Sequence, residues 1–412
     1  MDFRVAASES VKALASGNIA AAERLALFAL MGDARNATAM TVLGRIAIAV
    51  GRGDKAREWL GAALKGNPFA KDAKAAMGEA SAMAEVVLPS PGEHGILLMR
   101  EWGEGFWSDV DQVVGGCLLS EVLGRRAVVW WGENSRFGGG AGSTDNVWDH
   151  YFEPVSDATM EDARAAQGEA FHERWRGIPL DGPLPARWEG EGSRITSVRM
   201  LGRRERLVVN DFHSQVVCVK PWLFAGHPLI EKSLPDTHRA LYAKYIRPRE
   251  RFHARAQEFF DQHLAGSPTL AVHIRGTDKL KEAGFAPELA QQFEGYIPAA
   301  LERMPDLRVF LLTDSSEIAG RLKERCGSRL VLTPSTRADG DTGLHFREDR
   351  SGRRLGEEVL TDCLIATRCD RFLGMAASNV AAAIAVLRDW APETCEMVGP
   401  YVHAQPAMLV LW

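Results

Sequence analysis

From residue 96 onward, short apolar runs alternate with stretches whose apolar residues recur at helical spacing, and this alternation restricts the fold more than any other feature. Ile96-Leu97-Leu98-Met99 reads as a buried strand. It leads into the loop Arg100-Glu101-Trp102-Gly103-Glu104-Gly105. A helix follows, with Val110, Val113, Val114, Cys117, Leu118 and Val122 on one face and a capping-box signature in Ser108 and Asp111. Gly124 ends that helix, and Ala127-Val128-Val129-Trp130-Trp131 is the next strand. Strand, helix and strand in this order form a βαβ unit, whose strands lie parallel. The pattern returns after a helical stretch over about 235–264, with strands expected at 269–274, 309–313, 330–332 and 371–373. Two such units predict an α/β chain of two lobes with a cleft between them. Open parallel sheets bind ligands beyond the carboxyl ends of their strands. The region over about 136–190, rich in Gly, Asp, Pro and Trp, reads as long loops of the kind that line a site.

Residues 1–86 obey a different rule. They are rich in Ala and repeat with a period of 34: Gly17 recurs as Gly51, Ala22 as Ala56, Ala29 as Ala63 and Gly44 as Gly78. That is the tetratricopeptide period, in which small residues sit where paired helices approach closely. The stretch from Leu43-Gly44 through Ala56, Leu60 and Ala63 to Pro68 is the fullest copy. A generic Ala-rich helical bundle would read similarly. Two repeats and a last helix are few for a free-standing solenoid, so this all-α segment is expected to lean on the α/β part of the chain. Pro89-Ser90-Pro91-Gly92 marks the boundary.

Composition removes several classes of function. With 412 residues, 46% of them apolar and 25% charged, the chain is globular and long enough for two or three domains. A net charge of -5 gives no global pull toward nucleic acid or anionic membrane, so any phosphate binding must be local. The six cysteines (117, 218, 326, 363, 369 and 395) form no CxxC pair, and no His-x-x-x-His is present. Reduced thiols and no metal site are the expectation. The N-terminal stretch lacks the apolar centre of a signal peptide, and no run of 18 apolar residues occurs, which predicts a cytoplasmic location and no membrane span.

The residues most suited to chemistry lie in Ala271-Val272-His273-Ile274-Arg275-Gly276-Thr277-Asp278-Lys279, where a buried strand ends. A guanidinium matches phosphate oxygens through two parallel charge-assisted hydrogen bonds, and Gly and Thr leave backbone N–H groups free for the same anion. A strand-end ion pair between Arg275 and Asp278 is the other reading. Asp109-Val110-Asp111 imitates a metal-binding Asp-x-Asp, but its place at a helix start favours capping and solvation. Trp102, Trp107, Trp130, Trp131 and Trp148 read mostly as core, with one or two available to stack on a sugar.

The His-x-Arg-x-Thr-Asp-Lys run resembles the first signature of the α1,6-fucosyltransferases, which core-fucosylate N-glycans or fucosylate Nod factors. Further stretches occur in that family's order. They are Gly103-Glu104-Gly105-Phe106, Trp148 through Phe152-Glu153-Pro154-Val155-Ser156, Phe310-Leu311-Leu312-Thr313-Asp314, Gly343-Leu344-His345, Asp362, and Phe372-Leu373-Gly374 with Ser378-Asn379-Val380. The resemblance spans roughly 95–390. It implies two Rossmann-like lobes in the GT-B arrangement, a donor side over 236–412 and an acceptor side over 87–235. The donor is then GDP-fucose, with no cofactor and no metal.

Under this resemblance Arg275 pairs with the β-phosphate, while His273 and Asp362 hold the guanosine. A carboxylate can accept both N–H bonds of guanine's edge, although Asp362 also reads as a helix-surface residue. Gly103 and Gly105 belong to the N-terminal glycine loop. Ser378 and Asn379 sit at a helix start, where free N–H groups meet phosphate or where a plain N-cap would look the same. Lys279 and Glu282 orient and deprotonate the acceptor hydroxyl, with Asp278 beside them. The chain departs from the family at Gly276, where a second Arg belongs, and at Glu282, one residue early. The expected function is an inverting, metal-independent fucosyltransferase acting on a glycan, natural product or protein. The alternatives are a transferase for another nucleotide-sugar and a non-catalytic repeat scaffold with a degenerate lobe. Residues 1–86 are expected to meet a protein partner or a second copy of the chain.

Overall fold

The computed structural model describes residues 2–85, 92–138, 144–184, 196–276, 286–340, 343–344, 351–399 and 402. The chain opens with five helices: α1 (Phe3–Ala15), α2 (Ile19–Gly32), α3 (Ala37–Ala49), α4 (Gly53–Gly66) and α5 (Lys71–Ser81). Helix α1 packs on α2, and α3 on α4. Gly17 and Gly51 occupy equivalent turns with φ of 80° and 76°, a conformation that side chains resist. Ala22, Ala29, Ala56 and Ala63 are all fully buried, as close helix approach requires. The last correspondence is not one of packing. A Cβ on Gly44 would come 2.5 Å from Leu60 Cγ, whereas one on Gly78 would meet nothing within 4 Å.

This helical segment leans on the part of the chain that carries the first sheet. Arg52 donates to the Trp222 carbonyl at 2.8 Å, lies 4.0 Å over the Phe224 ring and pairs with Asp54. The Trp222 indole in turn donates to Glu23 at 2.6 Å. Glu23 is buried at this seam, and burial pushes its carboxyl up to about 8. Gly202 completes the contact, because a Cβ there would overlap the Val50 carbonyl.

Two parallel sheets carry the rest. The first contains β1 (Ile96–Arg100), β2 (Arg126–Trp130), β3 (Ala170–Phe171) and β4 (Leu207–Asn210) in the order β2-β1-β4-β3. Leu98 of β1 aligns with Val128 and Val209. The second contains β5 (Thr269–Ile274), β6 (Arg308–Thr313), β7 (Leu330–Val331), β8 (Arg371–Met375) and β9 (Cys395–Val398) in the order β7-β6-β5-β8-β9. Val272 of β5 aligns with Leu311 and Leu373. The central strand β5 is buried along its whole length, which is why it reads as an unbroken apolar run. Strands β3, β4 and β9 are additions to the expected set.

Two sequence expectations change. The helical stretch over 235–264 is two helices, Leu234–Tyr245 and Glu250–His263. Pro248 lies between them, has no N–H to donate and bridges to Phe152. Helix α6 (Phe106–Leu123) begins at an N-cap of Gly105 and has no side-chain cap, so the expected Ser108–Asp111 capping box does not form. Trp102, Trp107, Trp131 and Trp148 are buried, as the core reading expects.

Candidate functional site

A cleft of about 470 Å³ opens between the carboxyl ends of the two sheets. In each sheet it lies beside neighbouring strands from which the order runs both ways: β5 and β8 in one, β1 and β4 in the other. Such a switch point leaves a crevice, because the connections leaving the two strands diverge.

On the second sheet, His273 and Arg275 come from the end of β5 and Ser378 and Asn379 from the segment after β8, and all four line the cleft. Arg275 Nε pairs with Asp314 Oδ2 at 3.0 Å, and the Gly276 N–H donates to Asp314 Oδ1 at 2.8 Å. Asp314, at the end of β6, therefore fixes the plane of the guanidinium. Asp278, the partner considered from sequence, lies outside the described residues, as do Lys279 and Glu282. His273 is buried, and its Nδ1 has no hydrogen-bond partner among the described residues. Burial holds its pKa down to about 4, with Asp314 opposing the shift and Arg275 adding to it. The ring is thus neutral at pH 7.

Asp362 lies on the helix Gly352–Ala366 and lines the cleft, so it is not a helix-surface carboxylate. Ser335 donates to it at 3.3 Å. Burial pushes its pKa up to about 6, against the opposing effects of Thr333, Arg337 and Ser335. Ser378 is the N-cap of the helix Asn379–Leu387 but makes no side-chain cap. It is thus a cap by position alone, and Ser378, Asn379 and Val380 at this helix start all line the cleft.

The first sheet contributes Trp102, Glu104, Gly105 and His213. Gly105 lines the cleft, whereas Gly103 supports the loop from behind. Gly103 and Glu104 donate their N–H groups to Asp109 at 3.1 and 3.0 Å, and the Gly103 carbonyl accepts from Arg136 at 2.8 Å. Asp109 is fully buried, with a pKa that burial raises to about 7. It is a loop anchor and not the solvated residue its position suggested. Asp111 is buried as well, between His213 and His238. Among the described residues, no group of three or more His, Cys, Asp or Glu is arranged to hold a metal ion. None of the described helices is long and apolar enough to cross a membrane.

Sequence reasoning missed the anchoring by Asp109, the pairing of Asp314 with Arg275, and His213. The last lies just after β4, a four-residue strand whose recognition would have placed His213 at a strand end.

No protein-family model matches the chain. Nodulation protein Z of Sinorhizobium fredii (strain NBRC 101917 / NGR234) is 29% identical over 133 residues, covering 30% of this chain and 41% of the relative. The chain thus matches about two fifths of the length of that curated relative. Among solved structures, NodZ α-1,6-fucosyltransferase co-crystallised with GDP aligns at 17% identity and a TM-score of 0.42, over 71% of this chain and 91% of its own. POFUT1 in complex with GDP aligns at 14% identity and a TM-score of 0.46, over 76% of this chain and 100% of its own. Scores of this size add nothing to the two-sheet architecture.

Proposed function

We propose that the chain is a glycosyltransferase of the GT-B arrangement that moves fucose from GDP-fucose to an acceptor hydroxyl, with inversion and without a metal ion. The observation that carries this reading is the convergence of Arg275, His273, Asp362 and an uncapped helix N-terminus on one cleft. Arg275 and the 379–387 helix start supply positive charge and N–H donors for a diphosphate. His273, neutral and with a nitrogen unpartnered among the described residues, and ionised Asp362 supply the acceptors and donor that a guanosine needs. The partial match to nodulation protein Z agrees with this assignment. Residues 236–412 form the donor lobe and 87–235 the acceptor lobe. Residues 1–86 are tetratricopeptide-like and help select a macromolecular acceptor. Among the described residues, five of the eight exposed large apolar residues, Phe3, Val5, Val11, Met31 and Phe69, lie in that segment.

A thermal-shift comparison of GDP, UDP, CDP and dTDP tests the reading. GDP is expected to stabilise the protein most, since a ligand at 100 times its Kd adds about 2.7 kcal/mol. An equal or larger shift with a pyrimidine nucleotide rejects the guanine site.

A further inference from the structure

Helix α6 approaches the segment after β4 unusually closely. Gly115 and Gly116 allow it, because a Cβ on Gly115 would overlap the Ser214 carbonyl and one on Gly116 would overlap Met99. One turn earlier on α6 this brings Asp111 to His213. The Nε2 atoms of His213 and His238 each stand 3.5 Å from an Asp111 carboxylate oxygen, and all three side chains are at most 5% exposed. His238 Nδ1 lies 3.0 Å from the Leu234 carbonyl, which places a hydrogen on that nitrogen and fixes the ring. The His213 ring stacks on Trp102, with centroids 5.6 Å apart and planes at 23°. Its face is therefore covered by an indole, its Nε2 stands near the Asp111 carboxylate at ion-pair distance without a hydrogen bond among the described residues, and the residue still lines the cleft.

A carboxylate 3.5 Å from Nε2 favours the tautomer with its hydrogen there, in which Nδ1 carries the lone pair that can accept a proton. Three carboxylates in the cleft are otherwise engaged: Asp314 by Arg275 and Gly276, Asp362 by Ser335, and Glu358 by the Thr336 N–H and Arg354. His213 comes from the first-sheet side, just after β4, and lines a small pocket together with Asn379 of the second-sheet side. Inversion needs the attacking oxygen and the leaving group on opposite sides of the anomeric carbon, so the acceptor is expected to enter from the first-sheet side, where His213 stands.

We infer that His213, positioned by Asp111, is the general base that takes the proton of the acceptor hydroxyl. The inference rests on the transferase reading above. As the acceptor oxygen bonds to C1 of the sugar, its proton passes to His213 Nδ1. The C1–O bond to the diphosphate breaks, and its electron pair leaves on the diphosphate oxygen. Asp111 steadies the imidazolium until the proton passes to solvent.

The test uses the full chain and GDP-fucose, with water and then azide as acceptors, and tracks GDP release and GDP affinity. His213→Gln is expected to keep GDP affinity and to slow hydrolytic GDP release ~10²–10⁴-fold. Azide attacks without losing a proton, so it should restore much of the rate and yield fucosyl azide. Asp111→Asn, which leaves the imidazole in place, should lose at least about tenfold and be rescued in the same way. Undiminished hydrolysis in His213→Gln overturns the assignment and leaves the transferase reading standing. So does a loss that azide fails to rescue while GDP still binds. An azide-rescued loss in Glu104→Gln or Glu282→Gln, with His213→Gln unaffected, moves the base to that carboxylate. A wild-type chain that neither binds GDP nor releases it from GDP-fucose removes the transferase reading and this assignment together.

Discussion

The carboxyl ends of the two sheets face one cleft with opposite chemistry. Beyond β5 and β8 stand a guanidinium held by Asp314, a neutral histidine and the open start of the 379–387 helix, a set suited to an anion. Beyond β1 and β4 stand Trp102, Gly105 and an imidazole backed by a buried carboxylate, a set suited to an apolar sugar face and a proton. Both sheets share one topological device, the switch point. What differs is the residue types at the strand ends, so topology locates the crevice and side chains decide its use.

The difference can be broken from either side. The largest effect should come from Gly115→Ala, since its methyl group would occupy the position of the Ser214 carbonyl. Overpacking usually costs about 1–3 kcal/mol, and a clash with backbone should exceed that range. Thermal unfolding measures the loss, and an unchanged Tm would mean that α6 does not need its close approach to the His213 segment. Arg275→Ala acts on the other side. Losing a charge-assisted contact worth about 1.5–3 kcal/mol should weaken GDP binding roughly 10- to 150-fold in calorimetry. A change below threefold would make Arg275 only the structural partner of Asp314.

The smallest effect is one of pH. Asp362 titrates near 6, and only its carboxylate can accept both guanine N–H groups. Protonation below that point removes an acceptor, so GDP affinity should fall as pH drops, by about tenfold at one unit below the pKa. Affinity should be level above pH 7. Asp362→Asn should flatten the profile at the low value, and a wild-type profile that is flat from pH 5 to 7 would place the guanine elsewhere.

The sequence was most legible where one chemical rule acts alone. Strand β5 is buried on both faces, so its apolar run gave its limits directly. The 34-residue period paired Gly17 with Gly51 as sites of close helix approach, whereas both sit in turns with positive φ and a Cβ on either would meet nothing within 4 Å. It overreached at Gly78, where no packing demands glycine. Strand β4 is short, and β9 is partly exposed with Glu396 inside it, so neither carries a clear period. Asp109 and Asp111 misled for a physical reason. A carboxylate near a helix start is usually solvated, and only the tertiary fold reveals that one meets two loop N–H groups and the other two imidazoles. Gly276 carries a similar lesson. A Cβ there would stand 2.6 Å from that of Ser315, so the second Arg of the resembling family would not fit without a local shift.

The seam made by Arg52, Glu23 and Trp222 also has a mechanical meaning. Its partners, together with Gly202 and Phe224, all belong to the part of the chain that carries the first sheet. Helices α1–α5 are thereby fixed to the same part of the chain as His213. A molecule gripped by those helices would therefore be held at a set distance and bearing from His213.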